Sequence, residues 1–476
     1  MSESISFPWR NSKTARIVDY VGAGAAFCIL CRLVTEENIS WLGWVIVGAL
    51  VFGLSIVKWP YGALAVLIST SVMPRFFVEL SGWKVRPEDF GVVVVSVVIG
   101  CWFLFRKGKL NLEVLDLWIV TYVMLNYVSS AFGSPEPSST LRWALQDNLA
   151  VLPYFLFRLL IRDLRTLQNA FRIFLVIGVM ESIYGILCFA SNRIFDTTIG
   201  VEVGQYLGSN VAGPYGSMYE ANLFGAYVAC CAVLFLALYL TETQGRVVRL
   251  TCFFITSVAL FVSLSRGALL AYIVAVSWLL FRHYRSGSGP RLRWSHLGTV
   301  LGAIIAIVLV ISFTPVGSLI QERFQNLINE GITEESAMVR LVIYSEAALD
   351  VLKHPILGTG TGSFRLTSDL PWPDEVVWIG SAPLRILHDT GILGLTAIAG
   401  FFVSLWIRVR RGLRSKNAEV GLVVGCFAGA LLYSISFELT EGTHLAFFWV
   451  FVGLLTSSAL FAVRTDATKP LLRSQI

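Results

Sequence analysis

Long apolar runs separated by short polar connections dominate the 476-residue chain. A helix that crosses the hydrocarbon core of a bilayer needs about 20 apolar residues, whereas a membrane β-barrel shows segments of about ten residues in which hydrophobic and polar positions alternate. The continuous runs therefore predict an all-α polytopic membrane protein with about 12–14 transmembrane helices. The predicted spans are residues 17–34, 40–57, 60–79, 89–105, 115–133, 147–162, 169–190, 220–240, 250–264, 267–281, 297–313, 384–406, 419–437 and 443–463.

The composition agrees with this class. Hydrophobic residues make up 55% of the chain and charged residues only 14%, whereas a soluble domain averages about 25% charged residues. The eight cysteines lie in apolar runs or just inside them, and we interpret them as small packing residues. We therefore expect no metal and no cofactor. In a membrane protein the positions of the basic residues are more informative than the net charge of +6, which does not indicate a nucleic-acid partner.

Basic residues predict the orientation of the chain. Met1–Arg16 is polar and carries no cleavage site of a signal peptide. If this segment is cytoplasmic, the even-numbered connections, including those at 282–293 and 408–416, carry most of the lysines and arginines. This distribution follows the positive-inside rule. We therefore predict fourteen spans with both termini in the cytoplasm.

The stretch Leu250–Phe281 is apolar except around the motif SLSRG. One helix of that length would measure about 48 Å, which exceeds the bilayer core and would place the basic residues 282–293 outside. Two short helices joined by a turn at Ser265–Gly267 keep the basic residues 282–293 on the cytoplasmic side. Arg266 would then lie at hydrocarbon depth, where a charge is costly and often functional. The alternative is a snorkelling arginine at a helix end.

A polar connection on the outer side, residues 314–383, separates the predicted eleventh and twelfth spans. Glu334–Leu352 has the pattern of an amphipathic helix, and the glycine-rich LGTGTGSF of Leu357–Phe364 predicts a turn where backbone approaches another group. That turn lacks the lysine and the preceding strand of a P-loop. We expect this connection to form an ordered cap over the membrane domain. The predicted segments are 1–313 (transmembrane bundle), 314–383 (outer loop) and 384–476 (C-terminal transmembrane helices).

Charged residues gather at the predicted outer ends of the spans. Several arginines at one membrane surface suit a diphosphate, because the guanidinium fork matches phosphate oxygens. A neighbouring acid or histidine suits a general base acting on a sugar hydroxyl. Alternatively, such residues mark helix ends, which is how we interpret Arg142, Glu438, Glu441 and His444 when each is taken alone. The candidate phosphate ligands are Arg142, Arg266, Arg340, Arg365 and Arg385; the candidate bases are Glu220, His388 and Asp389; and the candidate glycan contacts are Asn222 and Tyr344.

Three motifs follow one another between Pro214 and Leu395: an SLSRGA turn, the loop sequence VRLVIYSEAALDVLKHPILGTGTGSF, and LHDTGILGL. In this order they resemble the O-antigen ligase and O-antigen polymerase (Wzy-like) superfamily of bacterial inner-membrane glycan enzymes. The resemblance is carried by the combination, since each motif alone is weak. In this resemblance Arg266 matches the family's SRG arginine, and Arg340 matches the arginine that precedes the glycine-rich turn.

The resemblance implies a helical fold with a large periplasmic loop and transfer of a glycan from an undecaprenyl-diphosphate carrier to an acceptor hydroxyl. Periplasmic arginines hold the diphosphate, and the reaction needs no metal or nucleotide sugar. The implied partners are the undecaprenyl-diphosphate-linked glycan, membrane lipids and, as a further candidate, a chain-length regulator protein. The implied location is the bacterial inner membrane.

The chain departs from the ligase pattern at one point. Ligases carry a His-Asn pair about eleven residues before the glycine that corresponds to Gly391, and this chain has Gly380 and Ser381 there. The absence of that histidine favours a polymerase of repeat units over a ligase. A transporter or flippase is the alternative of another class, but no internal repeat of the transporter kind is evident. The sequence does not rank Glu220, His388 and Asp389 as candidates for the general base.

Overall fold

The computed structural model describes residues 53, 59–80, 83–106, 112–202, 213–242, 244–286, 335–368, 378–414 and 420–473. These residues form an almost entirely helical protein, which confirms the predicted all-α class. The helices are α1 (Tyr61–Ser71), α2 (Pro87–Arg106), α3 (Val114–Phe132), α4 (Pro137–Leu160), α5 (Leu164–Phe195), α6 (Ala221–Thr241), α7 (Arg246–Val262), α8 (Arg266–Ser286), α9 (Glu335–Lys353), α10 (Phe364–Thr367), α11 (Ala382–Arg414), α12 (Val420–Ser436) and α13 (Ala446–Arg473), and the strands are β1 (Val78–Leu80), β2 (Trp83–Val85), β3 (Val201–Glu202) and β4 (Gly213–Pro214).

Within the described residues, six helices are long and apolar enough to cross a membrane. They support a polytopic membrane protein, as the hydrophobic pattern predicts. The predicted spans at 17–34 and 297–313, nearly all of the span at 40–57, and the N-terminal segment used for orientation lie outside the described residues. The six helices cover Val114–Phe132, Leu164–Phe195, Ala221–Thr241, Arg266–Arg285, Ala382–Arg414 and Ala446–Val463.

Two predicted boundaries are wrong. The span predicted at 60–79 is helical only to Ser71, and Val78 pairs with Val85 in an antiparallel hairpin. Pro74 lies between these elements, and proline has no backbone N–H with which to continue a helix. The span predicted from residue 147 begins ten residues earlier, with Pro137 in the first turn, where that missing N–H costs nothing. Arg142, which precedes the predicted span, therefore lies within α4.

The break at SLSRG is present as predicted. Helix α7 ends at Val262 and α8 begins at Arg266. Between them Leu264 has φ of 57°, and the Ser265 N–H donates to Ser263 Oγ over 3.3 Å. Two helices therefore replace the single long one that the apolar composition alone would suggest. The depth of this turn in a bilayer stays a prediction.

The chain forms two compact units. In the first unit (1–177, 346–426 and 441–476), α11 packs against α3 and α13, and α13 packs against α4. In the second unit (178–345 and 427–440), α6 packs against α7 and α8, and its apolar stretch is fully buried. A helix that is hydrophobic on all sides belongs in a core, so α6 is the centre of the second unit. The predicted division at residues 313 and 383 stays a prediction.

Candidate functional site

In the second unit, the turn before α8 is bonded to the start of α6. Ser265 Oγ donates to Asn222 Oδ1 over 2.9 Å. Gly225 permits this approach, because a Cβ at that position would lie 2.8 Å from Ser263 Oγ. Glu220 is the N-cap residue of α6, two positions before Asn222. The structure thus brings Glu220, Asn222 and Arg266 into one neighbourhood, all of them half-buried.

A second contact links the start of α8 to helix α9 through the turn of residues 437–440, here called the 437–440 turn. Tyr344 of α9 donates from its hydroxyl to the carbonyl oxygen of Glu438 over 3.2 Å. On the other side, a Cβ on Gly267 would lie 3.0 Å from Leu439 Cδ1. Arg266, next to Gly267, and Arg340, one helical turn before Tyr344, therefore flank the same four-residue turn.

Neighbouring charges and burial both affect the pKa of Tyr344. Burial raises the pKa of the Tyr344 phenol, the Arg340 guanidinium lowers it, and the Glu438 carboxylate raises it. The phenol is therefore a neutral hydrogen-bond donor at physiological pH. Arg340 is half-buried and Glu438 is exposed. We call the group Glu220, Asn222, Arg266, Arg340 and Tyr344 the arginine cluster of the second unit.

One residue of this region is not among the candidates named from the sequence. Glu181 of α5 is only 7% exposed, and its Oε1 accepts a hydrogen bond of 2.7 Å from the backbone N–H of Ser217. Gly216 has φ of 59°, and a Cβ there would collide with the same carboxylate oxygen. Glu181 thus fixes the loop that leads to Glu220. A lone carboxylate inside the apolar run 169–190 was the available signal.

In the first unit, the glycine-rich turn is held against a break in α11. Gly358, Gly360 and Gly362 all have positive φ, at 72°, 96° and 67°. The Thr359 and Gly360 N–H groups each donate over 3.0 Å, to the carbonyl oxygens of His388 and Asp389 respectively. The Gly362 N–H donates to Asp389 Oδ2 over 3.0 Å. The predicted close approach of backbone is therefore confirmed, and the group approached is α11.

Arg385 lies at the centre of a buried ion cluster. Its Nη1 lies 2.7 Å from Glu441 Oε2 and its Nε lies 3.3 Å from Asp389 Oδ2, while Nη2 pairs with Asp147. Arg385 is only 5% exposed. Burial alone would raise the pKa of Glu441, but Arg385 and His444 outweigh it and hold that pKa well below its usual range. The guanidinium fork of Arg385 is thus shared among three carboxylates.

His388 is fully buried beside this cluster. Its Nδ1 lies 2.9 Å from Asp389 Oδ1, and its Nε2 lies 3.6 Å from Asp350 Oδ2. The Phe364 ring packs edge-on against the imidazole at 5.3 Å. Both ring nitrogens therefore face protein groups, and Asp389 is engaged by Arg385 as well as by His388.

Arg142 and Arg365 lie together at an exposed face of the first unit. Arg365 donates from Nη2 to Ser139 Oγ, and its guanidinium lies 5.3 Å from the Trp143 ring centroid. Ser139 and Arg142 are three residues apart on α4 and share one helix face. Both arginines are exposed. Across the described ranges, no group of three or more His, Cys, Asp or Glu residues is arranged to hold a metal ion.

Part of the chain is similar to a known protein family. Residues 251–399 match the family model described as O-antigen ligase. The matched segment includes α8 with Arg266, α9 with Arg340 and Tyr344, and the LHDTG segment of α11, which confirms the resemblance drawn from the motifs. No curated protein matches the chain significantly.

Proposed function

On the premise that residues 251–399 carry an O-antigen ligase domain, we propose that the protein is a Wzy-type polymerase. It joins oligosaccharide repeat units carried on undecaprenyl diphosphate into O-antigen or exopolysaccharide. The reaction takes place at the periplasmic face of the bacterial inner membrane and uses neither a metal nor a nucleotide sugar. The observation that carries the proposal is the arginine cluster, in which Arg266 and Arg340 flank the 437–440 turn.

The proposed reaction is a glycosyl transfer. A hydroxyl oxygen of the acceptor sugar forms a bond to the anomeric carbon of the donor. The bond between that carbon and the diphosphate oxygen breaks, and undecaprenyl diphosphate leaves with the bonding electron pair. The hydroxyl proton passes to a base on the protein. Negative charge therefore grows on the diphosphate as the reaction proceeds, and fixed cations beside it lower the barrier.

Arg266 and Arg340 are the proposed ligands of the leaving diphosphate. Both are half-buried, so they are accessible to a ligand while partly shielded from bulk water. A guanidinium binds two phosphate oxygens at once. Asn222 and the Tyr344 hydroxyl are the proposed contacts to the glycan. Arg142 and Arg365 remain candidates for a second phosphate contact in the first unit.

Glu220 is the base that the packing favours among the three candidates. It is half-buried at the start of α6, in the same neighbourhood as Arg266. His388, by contrast, is fully buried, with a carboxylate facing each ring nitrogen. Asp389 is shared between that histidine and Arg385. A base needs to reach the proton it removes, and Glu220 meets this requirement best.

The positions where ligases carry the His-Asn pair support polymerisation over ligation. Gly380 precedes α11, and Ser381 is buried, with its Oγ 3.5 Å from the Leu384 N–H. These residues begin a helix and supply no imidazole. A ligase that transfers finished glycan to a lipid or protein remains the second candidate, favoured by the description of the matched family.

The proposal is tested by the glycan profile of a deletion strain complemented with wild type, Arg266→Ala, Arg340→Ala or Arg285→Ala. Wild type should restore long chains. The Arg266 and Arg340 variants should lower polymer yield about 100-fold, the usual effect of removing one donor to a developing anion. Arg285 is exposed near the other end of α8 and serves as the matched control, which should behave like wild type.

Other outcomes would assign a different function. If the deletion strain still forms long polymer that stays on its lipid carrier, the protein is a ligase. If lipid-linked units accumulate on the cytoplasmic face, the protein is a transporter.

A further inference from the structure

An aromatic cluster in the first unit combines three separate segments of the chain. Trp143 lies on α4, Trp378 lies just before α11, and His444 lies in the turn before α13. The Trp378 and His444 rings stack at 5.2 Å with an interplanar angle of 13°, and Trp143 meets Trp378 edge-on at 5.3 Å and 79°. The three rings therefore form one contiguous aromatic group, whose accessible part is here called the aromatic surface.

Buried polar groups hold these rings in place from behind. His444 Nδ1 bonds to Glu441, which pairs with Arg385, and the Arg385 guanidinium lies 5.7 Å from the Trp378 ring centroid. Trp143 packs against the glycine-rich turn, since a Cβ on Gly362 would lie 3.1 Å from Trp143 Cγ. The orientation of the aromatic surface is thus set by the buried ion cluster.

Trp378 nevertheless remains 39% exposed. The indole is thus fixed in orientation by buried groups while part of its surface stays accessible to a ligand. The exposed guanidinium of Arg365 lies beside Trp143, 5.3 Å from the centroid of its ring. The surface therefore combines a π face with hydrogen-bond donors of positive charge.

We propose that Trp378 and Trp143 form a saccharide-binding platform for the glycan, an inference that rests on the proposed function. The C–H-rich face of a pyranose ring packs on the electron-rich face of an indole. Arginine donors at the edge of the platform bind ring hydroxyls or the carboxylate of an acidic sugar. The platform would hold a sugar away from the reacting bond, so its loss weakens binding more than the chemical step.

The experiment uses saturation-transfer difference NMR on the detergent-solubilised full chain. The probe is the repeat-unit oligosaccharide obtained by partial hydrolysis of the host strain's own surface polysaccharide. Wild type should give strong signals from protons on one sugar face. Trp378→Leu, which keeps an apolar side chain but removes the π face, should weaken the affinity about tenfold, or about 1.4 kcal/mol. Trp378→Phe should retain most of the signal.

Trp406→Ala is the matched control, because Trp406 is also an exposed tryptophan of the first unit, at 45%. It should bind like wild type. With lipid-linked repeat units as substrate, Trp378→Leu should raise KM about tenfold and leave kcat within about threefold.

Absence of sugar signals in wild type, or equal signals in wild type and Trp378→Leu, would overturn the platform. If Trp378→Leu lowers kcat and leaves KM unchanged, the residue positions the reacting groups and the platform is wrong. Failure of the proposed function is a separate result, because a deletion strain would then still form long polymer, or accumulate lipid-linked units on the cytoplasmic face, whatever the oligosaccharide probe shows.

Discussion

At the scale of single residues, the buried guanidinium of Arg385 joins carboxylates from three separate segments of the first unit: Asp147 in α4, Asp389 in α11 and Glu441 before α13. Desolvating a carboxylate costs several kcal/mol unless an opposite charge compensates. Arg385 supplies that charge to all three groups. We infer that Arg385 stabilises the unit, whereas the partly accessible Arg266 and Arg340 are better placed to meet a ligand.

This difference predicts that Arg385→Ala destabilises the protein strongly. Removing one partner of a buried ion pair typically costs about 3–5 kcal/mol, while removal of the exposed Arg365 should cost about 0–1 kcal/mol. Denaturant unfolding of the two purified variants in the same detergent gives the comparison. Equal midpoints would show that the Arg385 cluster contributes nothing special to folding.

Sequence reasoning could find Arg385 but not its role. The residue was recognisable as a charge at the start of an apolar helix. Its partners Asp147 and Glu441 lie far away along the chain, and no local pattern connects them. The same limit applied to His388, whose neighbour Asp389 was visible while its contact with Asp350 was not.

At the scale of elements, helix α11 is interrupted where LHDTG ends. Gly391 has φ of 64° and ψ of −166°, so the helical hydrogen-bond pattern stops there. The freed Ile392 N–H donates to the Pro355 carbonyl oxygen over 2.9 Å. A Cβ on Gly391 would collide with the backbone of Ile356. Only glycine suits both the left-handed conformation and the close approach.

Gly391→Ala should therefore destabilise the protein by at least about 2 kcal/mol, from the positive φ together with the backbone collision. Gly100 on α2 is the matched control, because nothing lies within 4 Å of a Cβ there. Gly100→Ala should be neutral or stabilising by up to about 1 kcal/mol, since alanine favours a helix over glycine. Thermal unfolding measures both, and equal losses in the two variants would contradict this account of the break.

The boundary of an element could be predicted where the length of an apolar run required a break. The break before Arg266 followed from a run too long for one span, and the structure contains it. The end of α1 was misplaced because hydropathy continues past Ser71 and hides the effect of Pro74. The start of α4 was misplaced because its first turns, from Pro137 onward, are polar and resemble a loop.

At the scale of the whole molecule, the fold class and the resemblance to the O-antigen ligase family were accessible from sequence for different reasons. Hydrophobic runs determine a helical membrane fold without reference to distant contacts. The three motifs that carry the resemblance lie within the contiguous stretch that matches the family model, residues 251–399, so their order alone was informative. The two units interleave along the chain, because the second unit takes residues 427–440 from between two parts of the first, and that arrangement has no local signature.

The most direct test of the central claim is reconstitution of the purified protein in liposomes with lipid-linked repeat units, EDTA present and no nucleotide sugar. The account predicts a ladder of longer lipid-linked glycans, with one undecaprenyl diphosphate released for each unit added. Arg266→Ala should lower the yield of the ladder about 100-fold. Unchanged repeat units with wild type, or units that only move across the bilayer without forming a new glycosidic bond, would contradict the polymerase.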